Sequence, residues 1–439
     1  MAFSLNGVHT PHRKNTQNKA TIRMPLPDSV TIPMSMHIGA PATPIVKIGD
    51  TVKTGTKIAE ATGYVSAPIY SSISGKVTKI KDFLLSNGST TQAIVIESDG
   101  EGSVDDSIFP PVVDSKESLI AAIKESGIVG LGGAGFPTHV KFNVDPEKID
   151  YLIINGAECE PYVTSDTVTM VSRTEDMKIA LSIICEFFGI KNVIVGVESN
   201  NKTAISSMKS FAQDMSDVCK VDVKVLPALY PQGGEKVLIY HTTGRIVKLG
   251  MLPIDTGCIV INCTTLAAIG NYLTTGMPLI EKCVTVDGGA VSEPQNVIVP
   301  IGAPLANVFE FCGGLKTEPA KIIYGGPMMG LTVPNMDQPI LKNTNAVLAL
   351  TEKEAWLPKT TACIRCGACT NTCPFGIAPA LIERAYDKND IEELEALNVD
   401  ACMECGCCSF VCPANRPLVQ KNKLSKAVLK NAKSKGEKK

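Results

Sequence analysis

Residues 127–142 read GIVGLGGAGFPTHVKF, and Gly130-Leu131-Gly132-Gly133-Ala134-Gly135 within them satisfies the dinucleotide-binding pattern G-x-G-x-x-G. That pattern marks a Rossmann loop only where a strand enters it and a helix leaves it. Here the order is reversed. The preceding DSKESLIAAIKESG sets Leu119, Ile120 and Ile123 on one helical face, with Asp114 or Ser115 as N-cap and Gly127 as stop. The strand follows instead, as Tyr151-Leu-Ile-Ile-Asn155, and runs into Gly156-Ala-Glu158-Cys-Glu160-Pro161. The stretch therefore reads as a backbone cradle of another kind. Its glycines allow close approach, successive amides can form a nest for an anion such as phosphate, Phe136 offers a stacking face and Lys141 a point charge.

Working outward, Val193–Val197 reads as a strand, and KVLPALYPQGGE (224–235) as a second glycine turn at a strand end. Cys258-Ile-Val-Ile-Asn262 is a buried strand feeding a polar cap and a helix that includes Thr265. Alternating strands and helices predict an α/β domain whose polar loops gather at strand ends, where cofactors bind.

Sixteen cysteines point to metal or redox chemistry rather than disulfides, and nine of them fall between Cys363 and Cys412. Two runs, Cys363-x2-Cys366-x2-Cys369-x3-Cys373-Pro374 and Cys402-x2-Cys405-x2-Cys408-x3-Cys412-Pro413, both fit the bacterial two-cluster ferredoxin signature. Three thiolates within seven residues wrap three corners of a cubane, and the fourth reaches the other cluster. The expected ligand sets are crossed: Cys363, Cys366, Cys369 and Cys412 on one 4Fe-4S cluster, Cys402, Cys405, Cys408 and Cys373 on the other. Cys407 is out of register. A pair of zinc sites is the competing reading, and two complete runs each ending in Cys-Pro argue against it. Residues 377–397 carry helical periodicity between the cluster loops.

The net charge of −2 hides an asymmetry, because residues 421–439 hold eight lysines and one glutamate. They are expected to form a solvated basic tail, with contact to anionic lipid or an acidic partner as the sharper reading. No run approaches the roughly 18 apolar residues that span a bilayer, and the N-terminus lacks an apolar signal core. A cytoplasmic chain attached to a membrane only through partners is expected.

GIVGLGGAGFPTHVKF, NGAECEP, YPQGGE and INCTTL occur in the order seen in the FMN- and NADH-binding subunit of respiratory complex I, with Leu131, Gly234 and Val144 departing from its pattern. With FSLNGVHTPHRK, IPMSMHIGAPATPIVKIGDTVKTGTKIAE and the paired cysteine runs, the chain resembles the RnfC family, the C subunits of Rnf complexes. The resemblance implies a multidomain α/β protein. Its parts would be an N-terminal arm (1–25), a lipoyl-like barrel-sandwich hybrid domain (26–105), an FMN/NADH-binding α/β domain (112–275), an SLBB β-grasp domain (280–350), an α-helical ferredoxin-like domain with two 4Fe-4S clusters (354–420) and the tail (421–439). The lipoyl-like turn carries no lysine to modify. Gly130, Gly132, Gly133, Gly135, Lys141, Asn155, Glu158, Tyr230, Gly233, Glu235, Asn262 and Thr265 would line a pocket for non-covalent FMN, with Phe136 and Glu160 near NAD(H). The implied activity is ferredoxin:NAD oxidoreduction coupled to Na+ or H+ transport by partner subunits on the cytoplasmic side of the cell membrane. Electrons would pass between NAD(H), FMN and the clusters, with no catalytic acid or base. Partners would be the other Rnf subunits and, indirectly, ferredoxin, and no nucleic acid. A microcompartment-type cobalamin reductase shares this plan, and a non-catalytic electron relay is the rival from another class.

Overall fold

The computed structural model describes residues 5–436. Helix Lys116–Glu125 starts at Ser115, whose hydroxyl and that of Ser118 form a capping box, and ends before Gly127 at φ +67°. A four-stranded parallel sheet follows, in the order Lys220–Leu226, Asn192–Glu198, Tyr151–Gly156, Cys258–Asn262. Asn192–Glu198, Tyr151–Gly156 and Cys258–Asn262 are nearly continuous apolar runs because helices cover both faces. Lys220–Leu226, at one edge, alternates (KVDVKVL) because one of its faces is left to solvent, and that charged face pairs Lys224 with Asp222 at 3.1 Å. The chain steps outward from the Tyr151 strand to the edge, then returns to the far side of that strand. The order thus reverses between Tyr151–Gly156 and Cys258–Asn262, and a crevice opens there at the carboxyl ends of the strands.

Two small antiparallel sheets form the barrel. Ser29–Pro33, Thr90–Ser98, Gly75–Leu84 and Thr51–Val52 make one; Thr43–Pro44, Lys57–Glu60 and Ile69–Tyr70 make the other. Val30, Ile32, Ile58, Ile69, Val77, Ile94 and Ile96 fill it, and this core is continuous with that of the parallel-sheet domain. A six-stranded mixed sheet follows, in the order Ile22–Arg23, Gln295–Pro300, Glu281–Asp287, Ala346–Leu350, Lys321–Tyr324, Leu331–Thr332, with helix Leu305–Phe311 packed on it. Its outermost strand comes from the N-terminal arm, which therefore is an integral edge of a distant domain.

The cysteine domain is an internal repeat. Each cysteine of the first run recurs 39 residues later, and so does the left-handed backbone: Arg365 and Glu404, Gly367 and Gly406, Gly376 and Asn415 all have positive φ. Short helices Pro379–Asp387 and Ile391–Ala396 lie between the copies, where the periodicity placed them. The expected basic tail requires correction. Leu418–Gly436 is one helix packed along Pro379–Asp387, with Leu418, Asn422, Ser425 and Leu429 buried. Lys421, Lys426 and Lys433 pair with Asp387, Glu404 and Asp400 on that domain. The lysines are countercharges to an acidic neighbour, and only 437–439 of the tail lie outside the described residues. No helix among the described residues is long and apolar enough to cross a membrane.

Candidate functional site

The glycine loop lies at the crevice, with Gly132, Gly133 and Ala134 exposed. Gly130 N–H donates to the Phe136 carbonyl at 2.8 Å and Gly135 N–H to the Gly130 carbonyl at 3.1 Å. Three further domains or elements hold it. Thr265 Oγ1 accepts from Leu131 N–H at 2.9 Å, Ile38 N–H of the barrel donates to the Gly135 carbonyl at 3.0 Å, and Lys282 and Asn343 of the mixed-sheet domain donate to the Leu131 and Gly133 carbonyls at 2.7 and 2.8 Å. Gly133 adopts φ +122° with open space where a Cβ would stand. An exposed run of clamped, side-chain-free amides suits a phosphate-bearing ligand.

The strand ends meet this loop. Asn262 caps helix Cys263–Thr275 through Thr265 N–H (3.1 Å), and its amide donates to Asp166 at 2.7 Å. A Cβ on Gly132 would press on that side chain. Asn155 donates to the Gly233 carbonyl at 2.9 Å and so fixes the second glycine turn to the first strand. Lys141 pairs with Glu235 at 2.7 Å and also donates to the Val260 carbonyl at 3.0 Å. Phe136 is half-buried.

The two glutamates of NGAECEP serve as structural acceptors here. Glu158 takes Asp166 N–H (2.8 Å), Thr167 N–H (3.2 Å) and the Thr167 hydroxyl (2.8 Å) at the start of helix Ser165–Ser172. Burial raises its pKa, against the nearby Lys14 ammonium. Glu160 accepts from Met328 and Met329 N–H at 3.0 and 2.9 Å, which joins this turn to the YGGPMMG loop of the next domain. Burial pushes it up to about 7, against those amides. Tyr230 is 2% exposed and donates to the Cys405 carbonyl at 2.7 Å.

Tyr230 thereby connects the crevice to the cysteines. The Met403 side-chain end lies against Gly234, where a Cβ would have to displace it, and the Cys407 thiol donates to the Tyr230 carbonyl at 3.8 Å. Cys373, Cys402, Cys405, Cys407 and Cys408 line one cavity. Glu404 N–H points at Cys402 Sγ (3.4 Å), the amide-to-sulfur arrangement that stabilises a thiolate-bound cluster. Cys373, Cys402, Cys405 and Cys408, the four in the register of the two-cluster signature, would supply a cubane's thiolates, although among the described residues no group of side chains is already drawn into a metal-binding arrangement. Of the other set, Cys369 and Cys412 pack with Leu418 and Val419, while Cys363 and Cys366 are exposed on a loop tied to Ala414 and Asn415 by Thr361 N–H and the Thr360 hydroxyl, both at 3.0 Å.

Several site residues carried no usable signal in the sequence. Lys14 of the arm donates to the Glu158, Glu160 and Val163 carbonyls at 2.7, 2.9 and 2.5 Å, and Val8 bridges Tyr230. Asp166 accepts from Asn262 and Thr264. Lys282 and Lys342 are buried lysines that hold loop carbonyls. Sequence periodicity cannot find such contacts, because they join residues far apart in the chain, and the lysines among them bond backbone carbonyls.

Four family models match consecutive segments: the RnfC barrel sandwich hybrid domain (residues 3–101), the Nuo51 FMN-binding domain (123–271), the SLBB domain (283–332) and a 4Fe-4S dicluster domain (356–413). The chain is 42% identical over 442 residues to the C subunit of the Na(+)-translocating ferredoxin:NAD(+) oxidoreductase complex of Acetobacterium woodii, covering 98% of each. It is 42% identical over 393 residues to the C subunit of the proton-translocating ferredoxin:NAD(+) oxidoreductase complex of Clostridium ljungdahlii, covering 88% of this chain and 85% of that one. The C subunit of the ion-translocating oxidoreductase complex of Rhodobacter capsulatus is 39% identical over 440 residues, covering 99% of this chain and 84% of that one. By its domain order, its paired cysteine runs and these near full-length relatives, the chain belongs to the RnfC family, the C subunits of Rnf complexes.

Proposed function

We propose that this chain is the NAD(H)-interacting subunit of a membrane-bound ferredoxin:NAD oxidoreductase, peripheral on the cytoplasmic side, with ion transport carried by partner subunits. Bound FMN supplies the exchange between two-electron hydride chemistry and one-electron transfer. Gly130, Gly132, Gly133, Gly135, Asn155, Asn262 and Thr265 form its wall, with Lys141, Glu158, Tyr230, Gly233 and Glu235 behind or beside it. Phe136, and Glu160 if released from the Met328 and Met329 amides, would lie near the nicotinamide nucleotide. The task of these residues is to orient two ring systems and exclude water; no side chain acts as general acid or base.

Cys373, Cys402, Cys405 and Cys408 hold the cluster nearer the flavin, and Cys363, Cys366, Cys369 and Cys412 hold the outer one. The observation that carries this order is the Tyr230 hydroxyl on the Cys405 carbonyl at 2.7 Å, with Met403 seated on Gly234. The outer loop presents Trp356, Leu357 and Ile364 to solvent, at 69, 77 and 66% exposure, beside Lys359 and Arg365. An apolar strip with basic flanks and two exposed cluster cysteines suits docking of a one-electron partner. Protein reconstituted with iron, sulfide and FMN should reduce a one-electron dye with NADH and show two interacting cluster signals by EPR. Failure to bind FMN, or NADH oxidation with no cluster signal, overturns the reading.

A further inference from the structure

Lys282 sits in strand Glu281–Asp287, is 3% exposed, and reaches across the domain boundary to the Leu131 carbonyl at 2.7 Å. Leu131 N–H is held from the other side by Thr265 Oγ1. Both polar groups of this residue are therefore fixed, one by each domain, directly ahead of the exposed amides of Gly132, Gly133 and Ala134. The acidic neighbours do not neutralise Lys282 by direct contact. Asp166 is engaged by Asn262 and Thr264, Glu158 by the start of helix Ser165–Ser172, and no carboxylate among the described residues lies within ion-pair distance of the ammonium. A buried cation is costly to desolvate and is retained only where its field is used or its protons are bonded. Burial lowers this ammonium to about 8, while Asp166, Cys283, Cys263 and Glu158 oppose the shift, so the charge is present at neutral pH.

We propose that Lys282 is the electrostatic anchor of the glycine loop: a positioning residue that fixes Leu131 and places a cation behind the following amides, favouring a phosphate-bearing ligand. The shared chemistry is a phosphate ester, from either the flavin mononucleotide or the pyrophosphate of the dinucleotide. The inference rests on the flavin reading above. The geometry agrees with the charge: the loop amides are exposed, the ammonium stands behind them, and the peptide linking the two is clamped at both ends.

The test compares wild type, Lys282→Met and Lys282→Arg, titrated with FMN and with riboflavin by fluorescence quenching, and with ADP-ribose on the flavin-loaded protein. Lys282→Met should weaken FMN binding at least tenfold with riboflavin changed less than twofold if the flavin phosphate is recognised. It should weaken ADP-ribose at least tenfold, with FMN retained, if the pyrophosphate is. Lys282→Arg keeps the charge and should retain most of the affinity. Equal changes for all three ligands, or none, overturn the proposal. Should Lys282→Met not fold, Lys282→Gln, which can still donate to the Leu131 carbonyl but carries no charge, takes its place: it must weaken the phosphate-bearing ligand and spare riboflavin, and unchanged binding overturns the proposal. A wild type that binds none of the three refutes the flavin reading and the proposal together, whereas a wild type that binds them with unresponsive variants refutes only the role of Lys282.

Discussion

Replacing Lys342 with methionine removes a fully buried ammonium that binds the Pro68 carbonyl of the barrel at 2.6 Å and the Gly127 carbonyl ahead of the glycine loop at 2.7 Å. No carboxylate among the described residues pairs with it, and burial brings it down to about 7 from the usual 10.5. In the unfolded chain it titrates near 10.4. Between those values the unfolded state binds the extra proton, so this group's penalty on folding shrinks as pH rises from about 7 and vanishes above about 10.5. The full penalty is about 5 kcal/mol, and about 2 kcal/mol of it is relieved between pH 7 and pH 9. Methionine has no titration but leaves two carbonyls without a donor, at about 1–3 kcal/mol each. Thermal and urea unfolding of both proteins at pH 7, 8 and 9 isolates the effect, because all other groups titrate alike. The wild type should gain stability relative to Lys342→Met by about 2 kcal/mol across that range. Parallel pH profiles would show that Lys342 keeps its proton in the folded protein as it does in the unfolded chain, and would refute the reasoning.

Tyr230→Phe removes the donor to the Cys405 carbonyl; stopped-flow mixing with NADH should show flavin reduction preserved and cluster reduction slowed, and unchanged cluster kinetics would dismiss Tyr230 as the link. Cys407→Ser should keep both clusters, whereas Cys408→Ser should lose one, by iron content and EPR; the opposite pattern would sink the ligand register. A Cβ at Gly233 would overlap the Ala157 carbonyl oxygen, a backbone atom that cannot step aside, so Gly233→Ala should displace the turn and cut NADH-dependent dye reduction by roughly 10²-fold, as misplacements near 1 Å do.

What was legible in the sequence follows from what repeats or alternates. The helix before the glycine loop, the strands Tyr151–Gly156 and Cys258–Asn262, and the paired cysteine loops are local patterns, and each stands where its pattern set it. The terminal lysines misled because composition alone reads as a solvated segment, while Leu418, Asn422, Ser425 and Leu429 recur at helical spacing and are buried. The arm's role was not legible because its contacts are made one at a time, by Val8, Lys14 and Ile22, to domains more than a hundred residues away.

Those one-at-a-time contacts explain how four domains present a single site. The glycine loop has little side-chain bulk with which to fix itself, so its conformation must be imposed through its carbonyls and amides. Ile38 supplies a donor from the barrel, Thr265 an acceptor from the flavin-type domain, and Lys282 and Asn343 donors from the mixed sheet. Lys14 does the same for the turn that carries Glu158 and Glu160, and the Tyr230 hydroxyl for the cluster loop. The chain thus directs its buried lysines to backbone rather than to carboxylates. A carboxylate partner would neutralise the charge, whereas a carbonyl partner fixes the loop and leaves the ammonium without a directly bonded counter-ion.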